Sequence, residues 1–279
     1  MEFIFEIIKA FFLGVVQGIT EWLPISSTGH MILFDEFVHL NVSEAFMEMF
    51  RVVIQFGSIL AVVVVYFDKL NPWSKNKDAS ARKSTWSLLG KVVLAVIPAG
   101  VLGVLFDDLL DTYLYNYITV AAMLVLYGVL FILIERHRKN HTYAVESTEA
   151  LSTKKAFAIG CFQVLSLIPG TSRSGSTILG AMLVDVSRPA AAEFSFFLAI
   201  PVMLGASALK LLKYVLEVGL VFSSVEWAVM LVGTVTAFGV SLVAIRFLTG
   251  FVRKHSFAAF GWYRIVLGAL VLLYAAFAG

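Results

Sequence analysis

Two long apolar stretches, at about residues 3–34 and 156–184, are each interrupted near the middle by a run poorly suited to a membrane-crossing helix. The first interruption reads TEWLPISSTGH and the second LIPGTSRSGST. No water reaches the hydrocarbon core, so every backbone N–H and C=O there must find its partner inside the protein. Irregular backbone at that depth survives only where it is buried in protein or lines a wet cavity. Each stretch therefore predicts a re-entrant helix–loop–helix, and the alternative is a pair of kinked spans.

The rest of the chain agrees that its solvent is a bilayer. Apolar residues make up 59% and charged residues 14%, against about 45–50% and 25% in a typical soluble domain. That excludes a soluble enzyme, and it excludes a disordered chain, which needs low hydrophobicity and high net charge. A formal net charge of +2 gives no reason to expect nucleic acid as a partner. The single Cys161 excludes a disulfide framework within one chain and any CxxC motif. Glu2 and Glu6 stand where a cleavable signal would carry basic residues, so none is expected. Six further apolar stretches, at about residues 49–67, 88–106, 118–134, 193–212, 227–247 and 257–277, approach the length of roughly 20 that crosses a bilayer. The expected fold is an all-α integral membrane protein, one polytopic domain over residues 1–279, with about six transmembrane helices and two re-entrant segments.

Basic residues in short loops mark the cytoplasmic side. Lys69, Lys75, Lys77, Arg82 and Lys83 follow the first span. Arg136, Arg138, Lys139, Lys154 and Lys155 follow the third, and Arg246, Arg253 and Lys254 the fifth. The opposite loops hold only Lys213 in 213–226 and no basic residue in FDDLLDTYLYNY. Both termini are then expected outside, with the first broken segment inserting from outside and the second from the cytoplasm.

Opposite insertion suggests an inverted repeat. A shift of 146 residues pairs Gly14 with Gly160, Gln17 with Gln163, Thr20 with Ser166, Ser26 with Ser172, Thr28 with Ser174 and Gly29 with Gly175. Ile32 and Leu33 likewise fall on Ile178 and Leu179. The halves, about 1–140 and 150–279, each read as one hairpin followed by three spans. In folds of this kind the discontinuous helices meet near the midplane, where the site lies.

The first interruption gathers Gln17, Glu21, Ser26, Ser27, Thr28 and His30 within fourteen positions. Gln17 and Glu21 share a helix face, and Pro24 then breaks the ladder. An ionisable group at membrane depth is costly and marks a functional site by default. The bland readings are a snorkelling Glu21 and a structural His30. Beside Ser27 they yield to a nucleophile, a base and an orienting group. The second interruption is a phosphate cradle by composition. Gly170 allows the turn, a helix N-terminus offers free N–H groups, and Arg173 offers a planar fork to phosphate oxygens. Ser172, Ser174 and Thr177 add hydroxyls. Arg173 paired with Glu21 is the structural alternative, and it is compatible with an empty cradle. Elsewhere, Gln55 reads as a helix–helix amide, and Gly57, Gly205, Ala206 and Ser207 as close helix contacts.

The run Gln17 to His30, with PGTSRSGST, RVVIQFGSILAVVV (51–64) and EFSFFLAIPVMLGA (193–206), resembles the undecaprenyl-pyrophosphate phosphatase family of bacterial membrane enzymes associated with bacitracin resistance. The likeness runs over essentially the whole chain. The family's first motif is (Glu/Gln)xxxGlu, and Gln17 here leaves Glu21 as its single carboxylate. The resemblance implies a multi-pass protein of the bacterial plasma membrane. Its implied reaction is hydrolysis of undecaprenyl diphosphate to undecaprenyl phosphate and inorganic phosphate, which recycles the carrier lipid for cell-wall polymers. The residue reading fits that reaction, with Glu21, Ser27, His30 and Arg173 as expected catalytic residues and Gln17, Ser26, Thr28, Gly170, Ser172, Ser174 and Thr177 as expected substrate-binding residues. The resemblance also implies a divalent cation, Mg²⁺ or Ca²⁺, expected between Glu21 and the diphosphate. The base, Glu21 or His30, and the nucleophile, Ser27 or a water, stay open. Expected partners are the polyprenyl diphosphate and the membrane, with a homodimer left open. The active site is expected to face the extracytoplasmic side. The rival class is a lipid-phosphate or anion transporter of inverted-repeat type, which would also use Arg173 but has no need of the set Glu21, Ser27 and His30.

Overall fold

The computed structural model describes residues 2–35, 38–114, 116–219 and 221–278; Tyr115 and Leu220, in the two sparsely charged connections, lie outside the described residues. The first broken segment is α1 (Glu2–Thr20), a turn through Ile25, and α2 (Ser27–Asp35). Then come α3 (Glu44–Val65), the short α4 (Phe67–Leu70), α5 (Ala79–Leu114) and α6 (Tyr117–His137). The second broken segment is α7 (Thr153–Gln163), a 3-10 turn (Val164–Leu167) and α8 (Arg173–Leu183), followed by α9 (Arg188–Glu217), α10 (Ser224–Val252) and α11 (Ala258–Ala278). The helices begin where the sequence supplies caps. The side chains of Ser43, Asn116, Ser152 and Ser223 each accept a backbone N–H in the first turn of α3, α6, α7 and α10.

Seven helices, α1, α3, α5, α6, α9, α10 and α11, are long and apolar enough to cross a bilayer. The six expected spans are among them. The seventh is α1, whose 19 residues meet the length test on their own because the interruption begins only at Glu21. Yet α2 brings the chain back to where α1 began. The Glu6 carboxylate accepts the Asn41 N–H at 2.8 Å, and Lys9 Nζ donates to the His39 carbonyl at 2.6 Å. The second broken segment returns in the same way, with Lys155 Nζ donating to the Asp185 carbonyl at 3.3 Å.

Close residue pairs give the directions of the helices. Gly14 and Gly18 of α1 lie against Gly233 and Ala237 of α10, so the two run parallel. Gly160 of α7 lies against Ala95, and Leu167 against Gly103, so α7 runs parallel to α5. Lys69 next to α3 meets Glu193 at the start of α9, whereas Ser207, further along α9, donates to Val52 O, so α3 and α9 are antiparallel. Gly128 against Gly261 and Val125 against Gly268 make α6 and α11 antiparallel as well.

The helices outrun the apolar windows that announced them. FDDLLDTYL belongs to the end of α5 rather than to a loop, because no breaker stands between Phe106 and Leu114. Gly205 and Ala206 are exposed and no atom lies within 4 Å of a Cβ built on Gly205, which corrects the expectation of a close contact there. Gln55 donates to Arg51 O of its own helix rather than to a neighbour. Gly57 and Ser207 do mark close approaches.

The ends that carry the basic loops are tied by ion pairs. Arg188 forks onto both oxygens of the buried Glu135, whose Oε1 also accepts the Phe257 N–H, joining α6, the start of α9 and the residue before α11. Lys69 bridges Glu149 and Glu193 at 2.7 and 2.5 Å. His141 lies 2.5 Å from Asp185, and that bond holds the Asp185 carboxyl below its ordinary range.

A Cβ on Gly57 would sit 2.2 Å from Thr234 O. Gly57→Ala should therefore cost about 1–3 kcal/mol, the usual penalty of overpacking. Gly205→Ala, on an open helix face, should instead hold or raise stability, by up to about 1 kcal/mol, and thermal unfolding of both variants in detergent checks the contrast.

Candidate active site

The two interruptions meet. Each ends on a serine in the left-handed region, Ser26 at φ 73° and Ser172 at φ 74°. That backbone is strained for a residue with a Cβ. Both serines offset the strain by capping the next helix: Ser26 Oγ accepts the Gly29 N–H at 3.2 Å, and Ser172 Oγ the Gly175 N–H at 3.1 Å. These four residues are the pairs that the 146-residue shift joins. The first helical residue after each cap is Ser27 in one case and Arg173 in the other. Equivalent backbone thus presents a hydroxyl from one side and a guanidinium from the other.

Glu21 lies between them. It is 4% exposed, deep enough that a partner for its charge is required. Gln17 Nε2 donates to its Oε2 at 3.0 Å, Ser27 Oγ donates to the same oxygen at 2.9 Å, and Arg173 Nη2 lies 3.4 Å from Oε1. The guanidinium is held from behind. Its Nη1 donates to Ser195 O at 2.6 Å, Thr177 Oγ shares a hydrogen bond with Ser195 Oγ at 2.7 Å, and the Trp22 ring lies 6.0 Å below. Among the described residues, Arg173 Nε and Trp22 Nε1 are buried donors without a partner. Ser174 Oγ reaches back to the Glu21 and Leu23 carbonyls at 3.4 and 3.3 Å and to Ser172 Oγ at 3.1 Å, pinning one interruption to the other.

His30 stands apart from Ser27. Its Nδ1 lies 2.7 Å from the Ser26 carbonyl, which can only accept, so Nδ1 carries the proton. Nε2 is then the acceptor for the Tyr263 hydroxyl, 2.6 Å away on α11. Ser27, Thr28 and His30 are half-buried on α2, and Ser172 and Arg173 are half-buried at the start of α8. Gly170, at φ 90°, leaves no room for a side chain: a Cβ there would sit 2.5 Å from Val120 O.

Two contributors escaped the sequence reading. Ser195 lay inside an apolar window and, although within the family-like run 193–206, was given no role. Arg264 of α11 lay inside another, yet it is fully buried beneath both interruptions. It donates to Pro24 O at 3.0 Å from the first, and to Gly170 O and Thr171 O at 2.8 and 2.9 Å from the second. A lone arginine in a span beside Trp262 and Tyr263 resembles an interfacial anchor, and only the fold reveals the carbonyls that it meets.

The donors available to a metal ion are few. Among the described residues no group of three or more His, Cys, Asp or Glu side chains could hold an ion. Glu21 is the one carboxylate at the site, with the Ser27 hydroxyl beside it. That set suits an ion that completes its coordination with substrate phosphate oxygens and water, as Mg²⁺ commonly does.

Comparison with known proteins places this arrangement in context. The family described as bacitracin resistance protein BacA matches residues 10–270. Over 275 residues the chain is 58% identical to an undecaprenyl-diphosphatase of Enterococcus faecalis, covering 98% of each chain. It is 56% identical over 269 residues to an undecaprenyl-diphosphatase of Acetivibrio thermocellus, covering 96% of this chain and 97% of that one. It is 55% identical over 269 residues to undecaprenyl-diphosphatase 1 of Clostridioides difficile, covering 96% of each.

The Glu21 and Arg173 pair should behave as a coupled unit. Arg173→Met leaves a buried carboxylate with a hydroxyl and an amide alone, and it should cost roughly 3–5 kcal/mol. Adding Glu21→Gln should recover much of that loss. Denaturation of the two single variants and the double variant in detergent measures the coupling.

Proposed function

This chain belongs to the bacitracin resistance protein BacA family and hydrolyses undecaprenyl diphosphate, and we propose that Ser27, Glu21 and Arg173 carry the reaction. The observation that supports this reading most directly is the bond from Ser27 Oγ to Glu21 Oε2 opposite the Arg173 guanidinium. A carrier that only moves an anion across the membrane has no use for a hydroxyl poised on a carboxylate.

In the proposed sequence the terminal phosphate of the diphosphate enters the cradle formed by the α8 N-terminus, Ser172 and Ser174. Charge on its equatorial oxygens is met by Arg173 and by the free N–H groups of the first turn. Ser27 Oγ attacks the terminal phosphorus in line, the P–O bond to the lipid phosphate breaks, and Glu21 accepts the hydroxyl proton. Undecaprenyl phosphate leaves. Water then cleaves the phosphoserine to inorganic phosphate and restores Ser27. His30, fixed by the Ser26 carbonyl with Nε2 as its acceptor, is the second proton acceptor, available to that water once Tyr263 yields. Gln17, Thr28, Thr177 and Gly170 shape the pocket, Gln17 through Glu21 and Thr177 through Ser195. Positioning and electrostatics supply most of what phosphoryl transfer requires.

Glu21 and the diphosphate oxygens would hold a divalent cation. Such an ion neutralises charge on the phosphates and fixes their geometry.

The paired caps and the paired glycines support reading the chain as two inverted-topology halves, about 1–140 and 150–279, in one domain. The concentration of basic residues at one end supports assigning that end to the cytoplasm. The arm α2, with half-buried Ser27, Thr28 and His30, leads to the other end. We therefore assign the site to the extracytoplasmic face of the bacterial plasma membrane, where the carrier is recycled after delivering its cargo. A homodimer is compatible with the reading and is not required by it.

Two experiments follow. With purified protein and a prenyl diphosphate, Ser27→Ala should abolish phosphate release while substrate still binds. Arg173→Ala should slow release by about a hundredfold or more, the scale of losing a transition-state donor, and Arg173→Lys should recover little, because an ammonium lacks the planar fork. Wild-type turnover in Ser27→Ala would move the attack to a water. For sidedness, Val221→Cys should react with an impermeant maleimide in intact cells and Lys75→Cys should not, both in a Cys161→Ser background. The reverse pattern would invert the orientation and the site with it.

A further inference from the structure

Arg264 takes no part in the reaction proposed for Ser27, Glu21 and Arg173. It is fully buried in a membrane protein, and among the described residues no carboxylate pairs with it. Its partners are five backbone carbonyls. Nη1 donates to Pro24 O, Nη2 to Gly170 O, Thr171 O and Met123 O, and Nε to Leu124 O. The guanidinium also lies 5.5 Å over the Tyr127 ring. A buried cation that is solvated by carbonyl dipoles alone is expensive, and such residues at membrane depth are kept for function.

Its location gives that function. Pro24 closes the turn after Glu21, whereas Gly170 and Thr171 lead into Ser172 and Arg173. One rigid fork therefore spans both chain breaks. The fork also lies under the first turn of α8, since a Cβ on Gly175 would be 3.3 Å from Nη1. Arg173 is balanced by Glu21 when the site is empty. The Arg264 charge has no such balance, so it is the net charge of the buried site.

We infer that Arg264 is a positioning residue that clamps the two interruptions in register, and that its uncompensated charge gives the cradle its affinity for a phosphate group. The inference rests on the proposed phosphatase site and deepens it. It divides the work between two arginines: Arg173 engages the transferring phosphate, while Arg264 builds the place where that phosphate sits and sets its potential.

Arg264→Lys and Arg264→Gln separate the two roles. A lysine keeps the charge but cannot reach carbonyls of both interruptions, whereas a glutamine loses the charge. For each purified variant, kcat and KM on a prenyl diphosphate are measured, together with inorganic phosphate binding by calorimetry, which does not depend on turnover. Arg264→Lys should bind inorganic phosphate within about threefold of wild type and lose on the order of tenfold or more in kcat, because charge survives and geometry does not. Arg264→Gln should lose at least about tenfold in phosphate affinity as well. Wild-type phosphate affinity in Arg264→Gln, or wild-type kcat in Arg264→Lys, would overturn the inference. Should Arg264→Gln fail to fold, the lysine variant decides alone, since a loss of phosphate binding there contradicts the charge role. A wild-type protein that binds phosphate yet releases none from the prenyl diphosphate would refute the proposed reaction instead.

Discussion

A chain that breaks two helices inside a membrane must satisfy the backbone groups that each break sets free. Water cannot do it, so the protein must. That requirement organises the structure more than any single contact does. Ser26 and Ser172 take up N–H groups at the start of α2 and α8. Ser174 and Arg264 take up carbonyls of the turns, and they do so across from one interruption to the other. The groups that make the breaks tolerable are therefore the groups that hold the breaks together. The N–H groups left at the α8 N-terminus are the ones that a phosphate would use.

The same logic explains why the site is asymmetric although its frame is paired. Equivalent backbone carries Ser27 on one side and Arg173 on the other. Where the first hairpin has Glu21, the second has Leu167. Gln17 consequently finds a carboxylate four residues on, while its counterpart Gln163, fully buried, has neither amide atom paired among the described residues. In the proposed reaction the first hairpin supplies the nucleophile and base, and the second the anion cradle. A carboxylate in both halves would have set two negative charges against the diphosphate.

Much of this was legible in the sequence because membrane solvation is a strict rule. The spans, the two broken segments and the paired serines and glycines all follow from which residues a bilayer tolerates. Glu21, Ser27, His30 and Arg173 stood out because polar groups in an apolar run need a reason. What stayed hidden was context. Arg264 and Ser195 each sit singly in apolar windows, where an arginine reads as an anchor and a serine as a small packing residue; their partners come from helices far away in sequence. The pairing of Ser27 with Glu21 rather than with His30 was hidden for a different reason. Spacing of three residues lets Ser27 and His30 share a face, but the positive φ at Ser26 turns the start of α2 so that the hydroxyl meets Glu21 and the imidazole meets Tyr263. Gly205 misled in the opposite sense, since a small residue in a span implies close packing and here faces outward.

The central claim is that one buried carboxylate, held between the two hairpins, drives the chemistry. The most direct measurement is phosphate release from undecaprenyl diphosphate by purified Glu21→Gln protein, with folding checked by thermal unfolding. An amide keeps the shape and the contact with Ser27 but cannot accept its proton. Glu21→Gln protein should fold and turn over about a thousandfold or more slower, the upper range for loss of a general base. A folded Glu21→Gln protein that releases phosphate near the wild-type rate would contradict it.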